Sequence, residues 1–183
     1  YTVTETVDDG GGCIATATLV VTVLPTPDVT VNDLSLCFGE SGTLTAAGAS
    51  TYTWSPTTGL LPSTGETVTA SPVGTTAYTV TGTDNGCTNT AIANVTVAPQ
   101  ILPTIGVSGT FCEDANSVDF TGGGGGTYAW TFPSGTSGTT TGSPVNGVTW
   151  TTADTYTIGL TVTVGTCSAA TTTDITIVAN PTV

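Results

Sequence analysis

The chain has no lysine, arginine, histidine or methionine in its 183 residues, and only 7% of it is aromatic. Each absence removes a class of function. Without cations there is nothing to neutralise phosphates, the interaction on which nucleic-acid binding depends. Without imidazole or amine, Ser-His-Asp and Cys-His catalysis, Schiff-base formation and Lys- or Arg-clamped phosphoryl transfer are excluded, and histidine metal sites with them. The 13 carboxylates give a net charge of −13 and find no side-chain cation, so each is solvated, capped by backbone N–H groups, or bound to a metal ion. Long apolar runs are lacking as well. None approaches the roughly 20 residues of a membrane span, and no basic segment marks a secretory signal. The sequence begins with Tyr1 rather than Met, from which we expect a processed chain or part of a longer one.

What is present is small and β-branched: 47 Thr, 24 Gly and 12 Ser, with Val, Ile, Ala and Leu alternating through the Thr-rich runs. Such residues suit a pleated, half-buried surface, and no window carries the 3.6-residue helical period. The fold class is therefore all-β.

Internal repeats set the architecture. Tyr1-Thr-Val-Thr leads to Cys13 and Pro25, Tyr78-Thr-Val-Thr leads to Cys87 and Pro99, and Tyr156-Thr-Ile-Gly leads to Cys167 and Pro181. Upstream, Cys37 precedes Trp54 and Cys112 precedes Trp130 at nearly equal offsets. Prolines at Leu24–Pro27 and Pro99–Pro103 end strands and mark the boundaries. We expect residues 1–25 to be the last two strands of a partial repeat, and 26–99 and 100–183 to be complete β-sandwiches. Asp84-Asn85-Gly86 predicts a tight hairpin turn. Parity beyond that turn puts Cys87, Ala91, Ala93, Val95 and Val97 on the core side and Asn94 and Thr96 toward water. In the first hairpin Cys13, Ala15, Ala17, Leu19, Val21 and Val23 share the corresponding side.

Each complete unit holds one Cys near its first strand and one after its hairpin turn. Disulfides Cys37–Cys87 and Cys112–Cys167 are expected on this basis, each closing a loop of about 50 residues and contributing roughly 4 kcal/mol. Spacings are too long for a zinc site and CxxC is absent. Disulfides imply an oxidising, extracellular location. Cys13 has no partner in its own unit and is expected to be a free thiol, a bond to another chain, or a consequence of where the chain was cut. Trp54 and Trp130 occupy the place where a sandwich buries a tryptophan against its disulfide and are expected in the core. Trp150 has no counterpart in the preceding repeat and is the better surface candidate.

Tyr128-Ala-Trp130-Thr-Phe-Pro, Thr155-Tyr-Thr-Ile and Asn85-Gly86-Cys87-Thr-Asn resemble the polycystic-kidney-disease-type (PKD) and related Ig-like repeats of secreted and surface proteins of Bacteroidota. The resemblance covers essentially the whole chain. It implies tandem Ig-like sandwiches serving as stalks, adhesins, fibres or spacers of secreted hydrolases. The Gly-Asp-Gly that usually follows the Trp strand is replaced here by Ser55-Pro56 and Phe132-Pro133.

Asp8 and Asp9, Asp84, and the group Glu113, Asp114 and Asp119 are candidate Ca²⁺ ligands, set against solvated turn carboxylates, which this composition favours. Paired carboxylates also permit glycoside hydrolysis, although so few acids spread over small sandwiches argue against it. No catalytic residue and no resident cofactor is expected. Gly122–Gly126 lacks the lysine and helix of a phosphate loop and reads as a flexible or closely packed loop. Asn94-Val95-Thr96 is an N-glycosylation sequon on a face expected to be exposed, and the Thr-rich strands would suit O-glycans.

These observations point to a structural, non-enzymatic glycoprotein that forms an extracellular filament or surface stalk. The hairpin of residues 1–25 has an apolar face and no sandwich of its own, and an isolated hairpin is marginal in water. We expect it to pair with the edge or open face of another copy, building a head-to-tail filament by strand addition. A ribbon lying bare, or folded back to complete a sandwich within its own molecule, would argue against this. The alternatives are an excerpt of a longer array, a passive spacer, and an adhesive module binding surface glycans through Trp150 or Gly122–Gly126. No nucleic-acid partner and no membrane insertion is expected.

Overall fold

The structure is a computed structural model and describes residues 1–136 and 141–181, so the end of the expected 100–183 unit lies partly outside it. The described residues form strands and turns without a helix. Two compact units emerge, Tyr1–Thr96 and Val97–Val183.

The first unit opens with strands β1 (Thr2–Asp8) and β2 (Ile14–Val20), which pair only with each other. Its sandwich comprises β3 (Thr30–Val31), β4 (Leu34–Leu36), β5 (Gly42–Ala47), β6 (Thr51–Ser55), β7 (Leu60–Leu61), β8 (Thr67–Ala70), β9 (Thr76–Asp84) and β10 (Cys87–Val97). One sheet has the order β3-β5-β8-β7 and the other β4-β10-β9-β6. In immunoglobulin lettering these are A-B-E-D and A′-G-F-C, with the first strand split between the two sheets. The second unit repeats the plan with β11 (Thr104–Thr110), β12 (Ser117–Gly123), β13 (Thr127–Thr131), β14 (Val145–Val148), β15 (Thr155–Val164) and β16 (Cys167–Thr176), in sheets β11-β12-β14 and β13-β15-β16. The fold is a tandem of Ig-like β-sandwiches.

Alternation in sequence becomes burial in structure. Tyr78, Val80, Ala93 and Val95 are wholly buried while Asn94 and Thr96 face outward, as parity predicts. The β9–β10 connection is the tight turn expected: Asn85 and Gly86 both have positive φ, 48° and 83°, as a two-residue hairpin of matching twist requires. Trp54 lies on β6 and Trp130 on β13, both in the core. Each indole N–H finds a carbonyl, Gly65 O at 2.9 Å and Gly142 O at 2.8 Å. Of glycines 122–126, all but Gly125 are closely packed. A Cβ on Gly122 would come within 2.9 Å of the Tyr128 ring, and one on Gly126 within 2.2 Å of Thr163 O.

The cysteines do not pair as expected. Cys87 and Cys112 are free thiols, whereas Cys37 and Cys167 are disulfide-bonded, so neither Cys37–Cys87 nor Cys112–Cys167 forms. Topology supplies the reason in the second unit. Cys112 bridges Val178 in a parallel pairing, with Glu113 N–H donating to Val178 O at 2.9 Å and Val178 N–H to Phe111 O at 2.8 Å. Cys167 begins β16, eleven positions earlier along the same line of chain. At about 3.3 Å per residue the two lie roughly 35 Å apart, far beyond the ~7 Å between Cα atoms that a disulfide spans. Spacing in sequence identified the two segments and missed that the cysteines occupy opposite ends of the sandwich. Without a disulfide beneath it, Trp130 packs on aromatic rings instead: Phe120 at 5.9 Å and Phe132 at 5.8 Å between centroids.

Candidate functional site

The N-terminal ribbon is the feature the sandwiches do not absorb. Its register sets Val3 opposite Leu19, Glu5 opposite Ala17 and Val7 opposite Ala15, and Tyr1 exchanges two backbone hydrogen bonds with Val21. Directly opposed residues of an antiparallel pair share a face. Tyr1, Val3, Val7, Ala15, Ala17, Leu19 and Val21 therefore form one apolar surface, interrupted only by Glu5. Thr2, Thr4, Thr6, Thr16 and Thr18 line the other, with Val20 at one end and Asp8 and Ile14 at the other. Every residue of the ribbon is exposed, Leu19 by 65%. In the single chain it lies bare, one of the two outcomes expected to argue against strand addition, and it is not folded back into a sandwich of its own molecule.

The turn between β1 and β2 is held by carboxylates. Asp8 Oδ1 accepts from Gly10 N–H at 2.9 Å, and Asp9 Oδ1 accepts from Gly11 N–H at 2.8 Å and Cys13 N–H at 3.1 Å. The bond from Gly11, followed by that from Cys13, holds the Asp9 carboxyl below the usual aspartate range, because both favour the ionised form. Cys13 is exposed at the end of this turn.

The other acidic candidates serve as backbone caps or cross-links. Glu113 Oε1 accepts from Ala153 N–H at 3.1 Å, Asp119 Oδ1 accepts from Gly147 N–H at 2.8 Å, and Asp114 accepts from the Asn180 amide. Asp84 accepts from the Ser50 hydroxyl. Among the described residues no three acidic or thiol side chains converge as a metal site would require, so Glu113, Asp114 and Asp119 do not form one cluster. Asn94 is exposed on β10, and its N–H donates to Asp33 Oδ1 at 2.6 Å.

Trp150 is a correction: it is a core residue, 2% exposed, with its indole N–H on Pro133 O at 2.9 Å and its ring 5.4 Å from Tyr156. The residue that seats it, Asn116, was not visible in the sequence pattern. Asn116 is buried; its Oδ1 accepts from Trp150 N–H at 2.6 Å, and its amide donates to Trp150 O at 2.7 Å and Glu113 O at 2.8 Å. Open clefts of about 540 and 560 Å³ lie beside Tyr52 and Glu66 in the first unit and beside Tyr128 and Ser143 in the second. Tyr52 is buried, its hydroxyl bonded to Ala49, so the first cleft shows no aromatic platform.

No family model and no curated protein matches the chain. Solved structures of similar shape include the N-terminal eight Ig domains of Down syndrome cell adhesion molecule (15% identity, TM-score 0.49, 94% of this chain and 30% of that one). Titin domains I67–I69 match at 16% identity and TM-score 0.42, over 85% of this chain and 67% of that one. Extracellular cadherin domains 1–4 of protocadherin gamma B7 match at 14% identity and TM-score 0.40, over 97% and 56%. The chain thus spans less than a third of the first of these. The Ig-like assignment rests on the strand order. Among the described residues no helix is long and apolar enough to cross a membrane.

Proposed function

We propose that the chain is a non-enzymatic structural subunit of an extracellular bacterial fibre or surface stalk, assembling head-to-tail through β-strand complementation. The supporting observation is the β1–β2 ribbon, which has an apolar face interrupted only by Glu5 and no sandwich to lie on. The ribbon is bare in the single chain, so this reading requires a second copy to cover it. The acceptor is β16. It is the edge of its sheet, and beyond it only the Cys112–Val178 bridge pairs on that side among the described residues. A long edge strand without proline is a template for an added strand, and addition there would give each copy one donor and one acceptor. The PKD type and a Bacteroidota source remain part of this reading, supported by the Tyr128–Pro133 motif, and Asn94 is its N-glycan candidate. The adhesive alternative loses its aromatic, since Trp150 is buried.

Electron microscopy of the purified chain tests the proposal. Filaments are expected from the full chain and none from a chain lacking residues 1–25, with both sandwiches still folded by circular dichroism. Equal assembly of the two, or a ribbon whose amides stay unprotected from hydrogen exchange within the filament, overturns it.

A further inference from the structure

The two sandwiches share a polarity in their cysteines. In each, the turn between the last two strands lies where the chain comes in. The Leu24 carbonyl is 3.9 Å from Cys87 Sγ, and Pro27 O accepts from the Asn89 amide at 3.0 Å. In the second unit Ala98–Ile101 line one cleft with Cys167. The other cysteine begins a turn of its own, Cys37 O accepting from Glu40 N–H and Cys112 O from Ala115 N–H, both at 3.0 Å. In the second unit this turn sits beside Val178, where the chain leaves. Cysteines at the two ends of one sandwich cannot meet, so oxidation of Cys112 requires a thiol from outside its own unit. Both positions nevertheless take part in disulfides, since Cys37 and Cys167, the repeat equivalents of Cys112 and of the turn cysteines, are disulfide-bonded.

We propose that Cys112 forms a disulfide with Cys13 of a second copy, and that this bond locks the register of the added strand. The proposal rests on the strand-addition reading. Residues 111–113 already occupy the edge of the β16 line at Val178, and among the described residues no strand is hydrogen-bonded to that edge along Cys167–Thr176. When β2 of the next copy adds antiparallel along that stretch, its first residues lie at the Val178 end, beside Cys112. Cys13 immediately precedes β2, and both thiols are exposed. The oxidant is an external disulfide. One thiolate attacks it to form a mixed disulfide and releases one small thiol; the second cysteine displaces the other small thiol. One protein disulfide forms, and two electrons and two protons end on the two released thiols.

The test oxidises the full chain with glutathione disulfide and reads non-reducing gels, electron micrographs and disulfide-linked peptides. Chymotrypsin serves for the digest, since trypsin has no site. A ladder of covalent multimers and a peptide joining Cys13 to Cys112 are expected. Cys112→Ser and Cys13→Ser each reduce the ladder to monomer, while Cys87→Ser retains it. Filaments in which Cys13 and Cys112 both alkylate, or in which Cys112 is joined to Cys112 or Cys87, overturn the disulfide and leave strand addition standing. Absence of both filaments and cross-links in the unsubstituted chain overturns both.

Discussion

Three hairpins in this chain share one sequence pattern and differ in what covers them. Tyr1 and Val3 correspond to Tyr78 and Val80 and to Tyr156 and Ile158. Tyr1 is 87% and Val3 56% exposed, whereas Tyr78, Val80 and Ile158 are at 0%. Alternation therefore specifies which side of a strand is apolar, and only the opposing sheet decides whether that side leaves water. At about 25 cal/mol per Å² of apolar surface, a hairpin without that sheet forgoes most of the stabilisation its twins receive.

The comparison can be broken at several points. The largest effect is expected where burial is complete. Trp150→Ala and Ile158→Ala will destabilise the second sandwich by about 3–5 and 2–5 kcal/mol in chemical denaturation, while Val3→Ala shifts the single chain by no more than about 0.5 kcal/mol. Next is Asn116→Ala, which leaves the buried Trp150 N–H and C=O without their partner and costs about 1–3 kcal/mol by the same measurement. A smaller change follows from Tyr156→Phe. Its hydroxyl donates to Thr152 O at 2.9 Å and accepts from Thr152 Oγ1, 2.7 Å away, so about 1 kcal/mol is lost; Tyr1→Phe changes nothing in the single chain.

The smallest effects are in pH. Burial raises the Tyr78 hydroxyl above the usual tyrosine range. The folded first sandwich therefore holds that proton more tightly than the unfolded chain, and its stability, full below about pH 10, declines as pH rises through the tyrosine range. Absorbance of tyrosinate against pH, compared with Tyr78→Phe, checks this. Asp9 runs the other way. Its depressed carboxyl supports the ribbon turn above the ordinary aspartate range, and that support fades as pH falls through the lowered value, seen as loss of Gly11 and Cys13 amide protection.

Much of this fold was readable from residues. The alternating Thr-rich runs and the recurring Tyr-Thr-x-Thr pointed to tandem Ig-like sandwiches, and parity pointed to the buried side of β10. The cysteine pairs were not readable. Sequence distance places a thiol on a strand but does not tell at which end the split first strand crosses to the other sheet, and that crossing carries Cys112 to Val178. Trp150 was misjudged for a related reason. Lacking a counterpart in the preceding repeat, it looked incidental, yet it packs with Phe120 and Tyr156 in the core of the second unit.

The parallel contact between Phe111–Glu113 and Val178 has a mechanical consequence. Its two segments run in the same direction, one near the start of the second sandwich and one near its end. Tension applied at opposite ends of that sandwich slides them past each other, so the two backbone bonds that Val178 makes share the load and must rupture together instead of opening one after another. A module strung this way resists stretching at the point where the pull is felt first.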